Sequence, residues 1–226
     1  MPKQPPSTLT EGWLKEVFSF QPWDIGNEWL YKLCEEYPGH TKVEEVVAKI
    51  WLIGRAYAVA AERGISGKGE SETYIVRLAQ RFVDGNADNY LADLPMRPEK
   101  FGDHLNRVVK AHHRFESIFS NKEDDELGRV SLTSKYLHFH RPDLFPIYDS
   151  RAATAIVQVT PDSRFVPYSI ADEYASSLYG KFCVRCAWLL DEIRIRSGKP
   201  PSLRQLDTML LKIFRDNSIK RKKQKH

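Results

Sequence analysis

The sequence predicts an all-α fold, and three observations carry that prediction. Apolar residues recur at helical spacing in window after window, several windows are bounded by capping and stop residues, and no alternating run is long enough for a sheet core. With no internal repeat, the expected architecture is a helical bundle.

Residues 1 to 9 are Pro-rich and read as a flexible N-terminus. The next stretch carries Trp13, Phe18, Phe20, Trp23, Trp29 and Tyr31 and predicts one or two short helices whose aromatics pack on the body. Thr41-Lys42-Val43-Glu44 fits a capping box, and Val46, Val47, Ile50, Trp51 and Ala58 carry a long helix on to Gly64. Ile75, Val76, Leu78, Ala79, Phe82 and Val83 predict a helix over 71–83, closed by the breaker Asp84-Gly85-Asn86. A helix from Pro98 to Phe119 follows, with Leu105, Val108, His112, Phe115 and Phe119 on one side and a polar loop from Asn121 to Glu126 at its end. After Ser131, the residues Leu132, Tyr136, Leu137 and Phe139 mark a short helix that Pro142 stops. The extended segment Leu144 to Tyr148 then leads to Asp149, suited to N-cap a helix through Arg151, Ala152, Ala155 and Ile156. Two helices complete the chain: Ser169 or Asp172 to Arg196, ended by Gly198-Lys199-Pro200-Pro201, and Ser202 to Phe214, opened by the box Ser202-Leu203-Arg204-Gln205.

The chain has 226 residues, 42% of them hydrophobic, which is one large domain or two interlocked helical subdomains able to bury a core. No run approaches the roughly 20 apolar residues that cross a bilayer, so a membrane protein is excluded. Three cysteines build no disulfide framework and no secretory leader is legible, so the expected location is the cytoplasm. Net charge is +4, and residues 219–226 carry five of the 34 basic residues, leaving 29 against 30 acidic ones over the remainder. A near-neutral body, 10–218, with a basic tail, 219–226, hints at nucleic acid through Lys220, Arg221, Lys222 and Lys223. The alternative is a solvated tail. Arg185, Arg194, Arg196, Lys199 and Arg204 would extend a basic face if they lie near the tail.

The densest chemistry lies between Ser131 and Arg151. Asp149 stands out: at a helix N-terminus, backbone N–H donors and the helix dipole keep a carboxylate ionised, able to orient a water or stabilise a developing cation. The plainer alternative is that it only caps the helix. Trp51, Arg55 and Tyr57 could form a pocket for an extruded base, Trp51 and Arg55 sharing a helix face; the alternative is a core Trp with a salt-bridged Arg. His138 and His140 with Asp143 offer metal-ligand types, but an i, i+2 pair on a helix is splayed by about 200°, and no metal site or cofactor is expected. Cys183 and Cys186 sit in an apolar helical run and read as buried thiols, and residues 84–88 read as a turn rather than a calcium loop.

The order helix, Ser134-Lys135-Tyr136-Leu137-His138-Phe139, short linker, Ile147-Tyr148-Asp149, helix resembles the catalytic portion of the helix-hairpin-helix DNA glycosylases over roughly residues 120–160. The resemblance implies an all-α enzyme, with Asp149 as its catalytic carboxylate. The family's glycine-rich, phosphate-binding turn retains one glycine here, in Leu127-Gly128-Arg129-Val130-Ser131. Bifunctional members carry a Schiff-base lysine near the hairpin; Ser131 stands there and Lys135 one turn later, which implies a monofunctional enzyme that leaves an abasic site. Lys135 is the second catalytic candidate, and His138, His140 and Tyr148 are candidates for substrate contact. Arg129, Ser134, Ser150 and Arg151 are candidates for DNA contact, with a monomer acting on duplex DNA that presents a flipped, modified nucleotide. The compact arrangement also looks like a bacterial branch that defends against phages by excising glucosylated hydroxymethylcytosine. A different class of reading is a non-enzymatic helical nucleic-acid-binding or regulatory protein, with residues 131–151 structural and the tail supplying affinity.

Overall fold

The computed structural model describes residues 10–19, 22–59, 61, 70–120, 129–162 and 167–223. These residues form helices and turns, with no strand among them. In chain order the helices are α1 (Glu11–Val17), α2 (Pro22–Glu36), α3 (Val43–Ala56), α4 (Glu70–Asp84), α5 (Leu105–Phe119), α6 (Val130–His140), α7 (Ser150–Val159), α8 (Asp172–Ala175), α9 (Leu178–Ser197) and α10 (Leu203–Lys223). Two 3-10 turns, Ala87–Tyr90 and Phe101–His104, lie between α4 and α5. None of the described helices is long and apolar enough to cross a membrane.

α6 is the centre of the bundle. Every residue from Leu132 to His140 is buried, beneath α2, α3 and α5. Around Tyr136 the rings of Phe82, Phe115 and Phe119 pack mostly edge to face, Phe82 and Phe119 5.0 Å apart. Such pairs add about 0.5–1.5 kcal/mol each beyond the area they bury. The same apolar core continues through Leu137, Phe145 and Ile156 to Cys183, Leu189, Leu206 and Met209, so one core joins the N- and C-terminal helices.

Several boundaries match the sequence signals. Asp149 caps α7, the Ser202–Gln205 box closes reciprocally on α10 (3.1 and 2.9 Å), and Gly198 ends α9 with φ +81°. Others do not. α3 stops at Ala56 rather than Gly64, because Ala58 takes the left-handed position (φ +52°) and Val59 N–H closes on the Gly54 carbonyl at 2.9 Å. Gly64 lies outside the described residues. Thr41 does not cap α3; Lys42 occupies that position and its ammonium instead bonds Glu45 at 2.8 Å. α5 begins at Leu105, with a 3-10 turn occupying part of the segment expected to be helical from Pro98. Between α8 and α9 the chain breaks at Ser176-Ser177, where the Ser177 hydroxyl caps Gly180 N–H at 2.9 Å. α10 runs past Phe214 to Lys223, held to α7 by Asn217 Nδ2 donating to Gln158 Oε1 at 2.7 Å, so the backbone of Lys220 to Lys223 continues a helix instead of forming a separate tail. Trp29, expected to pack on the body, is 68% exposed. Residues 1–9, the Asn121–Glu126 loop, Leu127, Gly128 and the side chains of Lys220 to Lys223 lie outside the described parts.

Candidate active site

Ser131, Ser134, Lys135 and His138 follow one another at i, i+3, i+4 and i+7, so they share one flank of α6. That flank faces the non-helical link 144–149; the amides of Leu144 and Phe145 close on the Arg141 carbonyl, and the backbone groups beyond them have no ladder to join and turn to side chains. The Tyr148 carbonyl accepts from Lys135 Nζ (3.0 Å) and Ser131 Oγ (3.1 Å), while Tyr148 N–H donates to Ser134 Oγ (2.9 Å), whose own proton goes to the Ser131 carbonyl (3.0 Å). Lys135 Nζ also donates to Ser131 Oγ at 2.7 Å. His138 Nδ1 donates to the Phe145 carbonyl at 2.8 Å, which leaves Nε2 to accept from the Tyr31 hydroxyl at 2.7 Å.

This lock fixes Asp149 at the start of α7. Its Oδ1 accepts from Arg151 N–H and Nε, both at 2.9 Å, and its Oδ2 from Arg151 Nη2 at 3.2 Å. Partial burial alone would raise the carboxyl pKa, but the Arg151 hydrogen bonds and the charges of Arg151 and Lys135 bring it below the ordinary value. Asp149 is therefore an anion at neutral pH, and it is half-buried. Burial lowers the pKa of the Lys135 ammonium, against the charges of Asp149 and Asp207. Its Nζ lies 5.8 Å from the Tyr57 ring centroid.

A second carboxylate reaches this interior from α10. Asp207 is 4% exposed, its Oδ2 accepts from Arg204 Nη1 at 2.7 Å, and burial pushes its pKa up to about 6 against the charges of Arg204 and Lys135. Asp207 Oδ1, Arg204 Nε and Asn27 Nδ2 are buried and find no hydrogen-bond partner among the described residues. Asn27 Oδ1 accepts from the Tyr57 hydroxyl at 2.7 Å, and Tyr31 and Tyr57 both feel the charges of Arg204 and Asp207.

Of the residues singled out from sequence, Lys135, Tyr57, Tyr148, Asp149 and Arg151 thus come together, with Ser150 exposed beside them at the start of α7 and Arg129 at the start of α6. Ser134 is not at a DNA-facing surface: its hydroxyl is in the interior, committed to Tyr148. His138 is likewise unavailable for phosphate contact, because both ring nitrogens are bonded and burial lowers its pKa to about 4. His140 points away from His138, as the spacing requires, with its ring 4.8 Å from those of His40 and Tyr136. Trp51, 49% exposed, is neither a core Trp nor part of this interior, and Arg55 is exposed on the same helix. The imagined basic face is broken up: Arg204 turns inward to Asp207, Arg194 pairs with Asp191 (3.3 Å), and Arg185 bonds Thr160 Oγ1 (2.8 Å). Cys183 and Cys186 are buried free thiols, and Asp88 of the 84–88 turn holds His40 Nδ1 at 2.6 Å. Among the described residues no three His, Cys, Asp or Glu side chains are grouped to hold a metal ion.

Sequence reasoning missed Asp207, Asn27 and Tyr31. A signal for Asp207 existed: Leu203, Leu206, Leu210 and Ile213 form the buried stripe of α10, and Asp207 falls on it, with Arg204 one turn before. Comparison with known proteins returned no match to a family model, a curated protein or a solved structure.

Proposed function

We propose that the protein is a monofunctional DNA glycosylase that hydrolyses the N-glycosidic bond of a modified base and leaves an abasic site. The observation that carries this reading is the Asp149 carboxylate. It is kept ionised, half-buried and fixed on a non-helical link that Lys135, Ser131 and Ser134 hold to the core. Departure of a base breaks the C1′–N bond, the bonding pair leaving with the base, and gives the sugar oxocarbenium character. A preorganised anion stabilises that charge and orients the water that attacks C1′. Arg151, whose side chain is 58% exposed, occupies both Asp149 oxygens in the free protein; an approaching backbone phosphate offers its guanidinium a second anion and releases the carboxylate toward the sugar. Lys135 contributes positive potential beside the departing base. The resemblance to the helix-hairpin-helix enzymes supports DNA as the partner, a flipped nucleotide as the substrate form and a monomer in the cytoplasm as the working unit. Its bacterial branch supports phage defence, with glucosylated hydroxymethylcytosine as the base.

Base release from phage DNA carrying glucosylated hydroxymethylcytosine, beside unmodified, uracil-containing and alkylated DNA, tests this by mass spectrometry of freed bases and alkali-revealed strand breaks. Release from the glucosylated DNA alone is the expected result; release from another substrate moves the role to repair. Asp149→Asn is expected to lower base release by about 10²-fold or more while sparing the fold and DNA binding. DNA binding with no base released from any of these substrates would replace the enzyme by a nucleic-acid-binding module.

A further inference from the structure

α6 is not the only helix that holds the link carrying Asp149; the first turns of α9 reach it as well. The Tyr179 hydroxyl donates to the Pro146 carbonyl at 3.1 Å, and the Phe182 ring stands edge-on to the Tyr148 ring, with 5.3 Å between centroids. Tyr179 is itself firmly placed. Its ring stacks on His112 of α5 at 3.7 Å and 15°, and His112 Nε2 donates to the Val130 carbonyl at the start of α6 (3.3 Å). The turn it stands on is closed by the Ser177 cap on Gly180 N–H, and a Cβ at Gly180 would lie 2.5 Å from Ile170 Cδ1 and 2.7 Å from the Tyr174 carbonyl. The Cys183 thiol, one turn along α9, is the hydroxyl's other neighbour. A phenylalanine would fill this place in the core equally well, and a buried hydroxyl is costly unless bonded. Tyr179 gives its one proton to a carbonyl three residues before Asp149. Pro146 has no N–H and a fixed φ, so its carbonyl is the group by which that peptide is held.

We propose that Tyr179 is a positioning residue for the reaction at Asp149: by fixing the Pro146 carbonyl it sets where the carboxylate stands relative to the sugar, without touching substrate. The inference rests on the glycosylase reading and adds α9 to its machinery. α7 begins only at Ser150, so no helix sets the backbone between Pro146 and Asp149. Lys135 and Ser131 hold that stretch at Tyr148 from α6, and Tyr179 holds it at Pro146 from α9. A chain fixed at both residues leaves Asp149 little freedom, and a misplacement of about 1 Å costs a reaction about 10²-fold.

The test is steady-state base release from glucosylated, unmodified, uracil-containing and alkylated DNA by the full-length protein, together with hydrogen exchange at the Tyr148 amide. Tyr179→Phe keeps the ring on His112 and removes only the hydroxyl. It is expected to lower kcat by about tenfold or more with KM held within about twofold, and to speed exchange at Tyr148 by about tenfold. His112→Leu frees the stacked face of the Tyr179 ring and is expected to lower kcat by about threefold with KM again held, so the proposal does not hang on one variant folding. Leu189→Val, about 15 Å further along α9, softens the buried face of the same helix and is expected to leave kcat unchanged. Wild-type kcat in a folded Tyr179→Phe or His112→Leu protein, or a fall matched by Leu189→Val, would overturn the proposal while the base release itself upholds the glycosylase reading. Faster exchange at Tyr148 in Tyr179→Phe, in a protein that releases no base from any of these DNAs, would refute that reading and leave the hold on the link standing.

Discussion

α6 presents two polar flanks to the interior, and they are solved in opposite ways. On one, Ser131, Ser134, Lys135 and His138 all have hydrogen-bond partners, chiefly in the link that carries Asp149. On the other, Thr133 Oγ1 and the Tyr136 hydroxyl find no partner among the described residues, and neither nitrogen of His140 makes a well-formed bond, the Pro38 carbonyl being its nearest acceptor. Apart from half-buried Ser131, the residues of both flanks are buried, so burial does not distinguish them. The difference teaches that polarity in a core has two uses: one flank holds a non-helical backbone in place, and the other sits among His40, Phe82 and Phe115 as aromatic volume.

Substitution can break this contrast. Lys135→Met removes the only charged donor to the Tyr148 carbonyl and is expected to cost about 2 kcal/mol, read as a fall of about 4–8 °C in Tm. His138→Phe strands the Phe145 carbonyl and the Tyr31 hydroxyl and is expected to cost about 1–3 kcal/mol by urea denaturation at pH 8. pH sharpens the comparison. Burial sets the folded pKa of His138 at about 4 and pushes that of His140 well below its ordinary value, whereas the unfolded chain takes up those protons near 6.5. Stability is therefore whole above pH 6.5 and falls as pH drops toward 4, and either His→Phe variant should make that decline shallower. At pH 8 the two should part: His140→Phe, which gives up only a poorly formed approach to the Pro38 carbonyl, is expected to change stability by less than about 0.5 kcal/mol or to raise it. Equal losses for both histidines would mean that the two flanks are not different in kind.

Much of this arrangement was legible in the sequence. The helical class follows from spacing, and the caps at Asp149 and Ser202 follow from side-chain chemistry within three residues, where the sequence is its own context. The end of α3 was not legible, because an alanine took the left-handed position that glycine usually holds. The partners of Lys135 were only half legible: Ser131 is one turn away, whereas the Tyr148 carbonyl arrives through a bend in the chain. Beyond Arg204 on its own helix, the environment of Asp207 is tertiary, since Lys135, Asp149 and Arg151 act on it from other elements, and no local pattern records which of them faces α10. Its position on an apolar stripe was the one local signal, and it went unread.

The Ser134 hydroxyl accepts from the amide of Tyr148, a residue in no helix, while Lys135 and Ser131 hold its carbonyl. An amide in such a segment would ordinarily exchange its hydrogen with solvent in brief local openings. Here the opening requires a buried serine and a buried lysine on α6 to let go together, so the Tyr148 amide is expected to exchange with the core and not with the surface turns. Asp149, one peptide bond further on, thereby inherits the rigidity of the core rather than that of a surface loop.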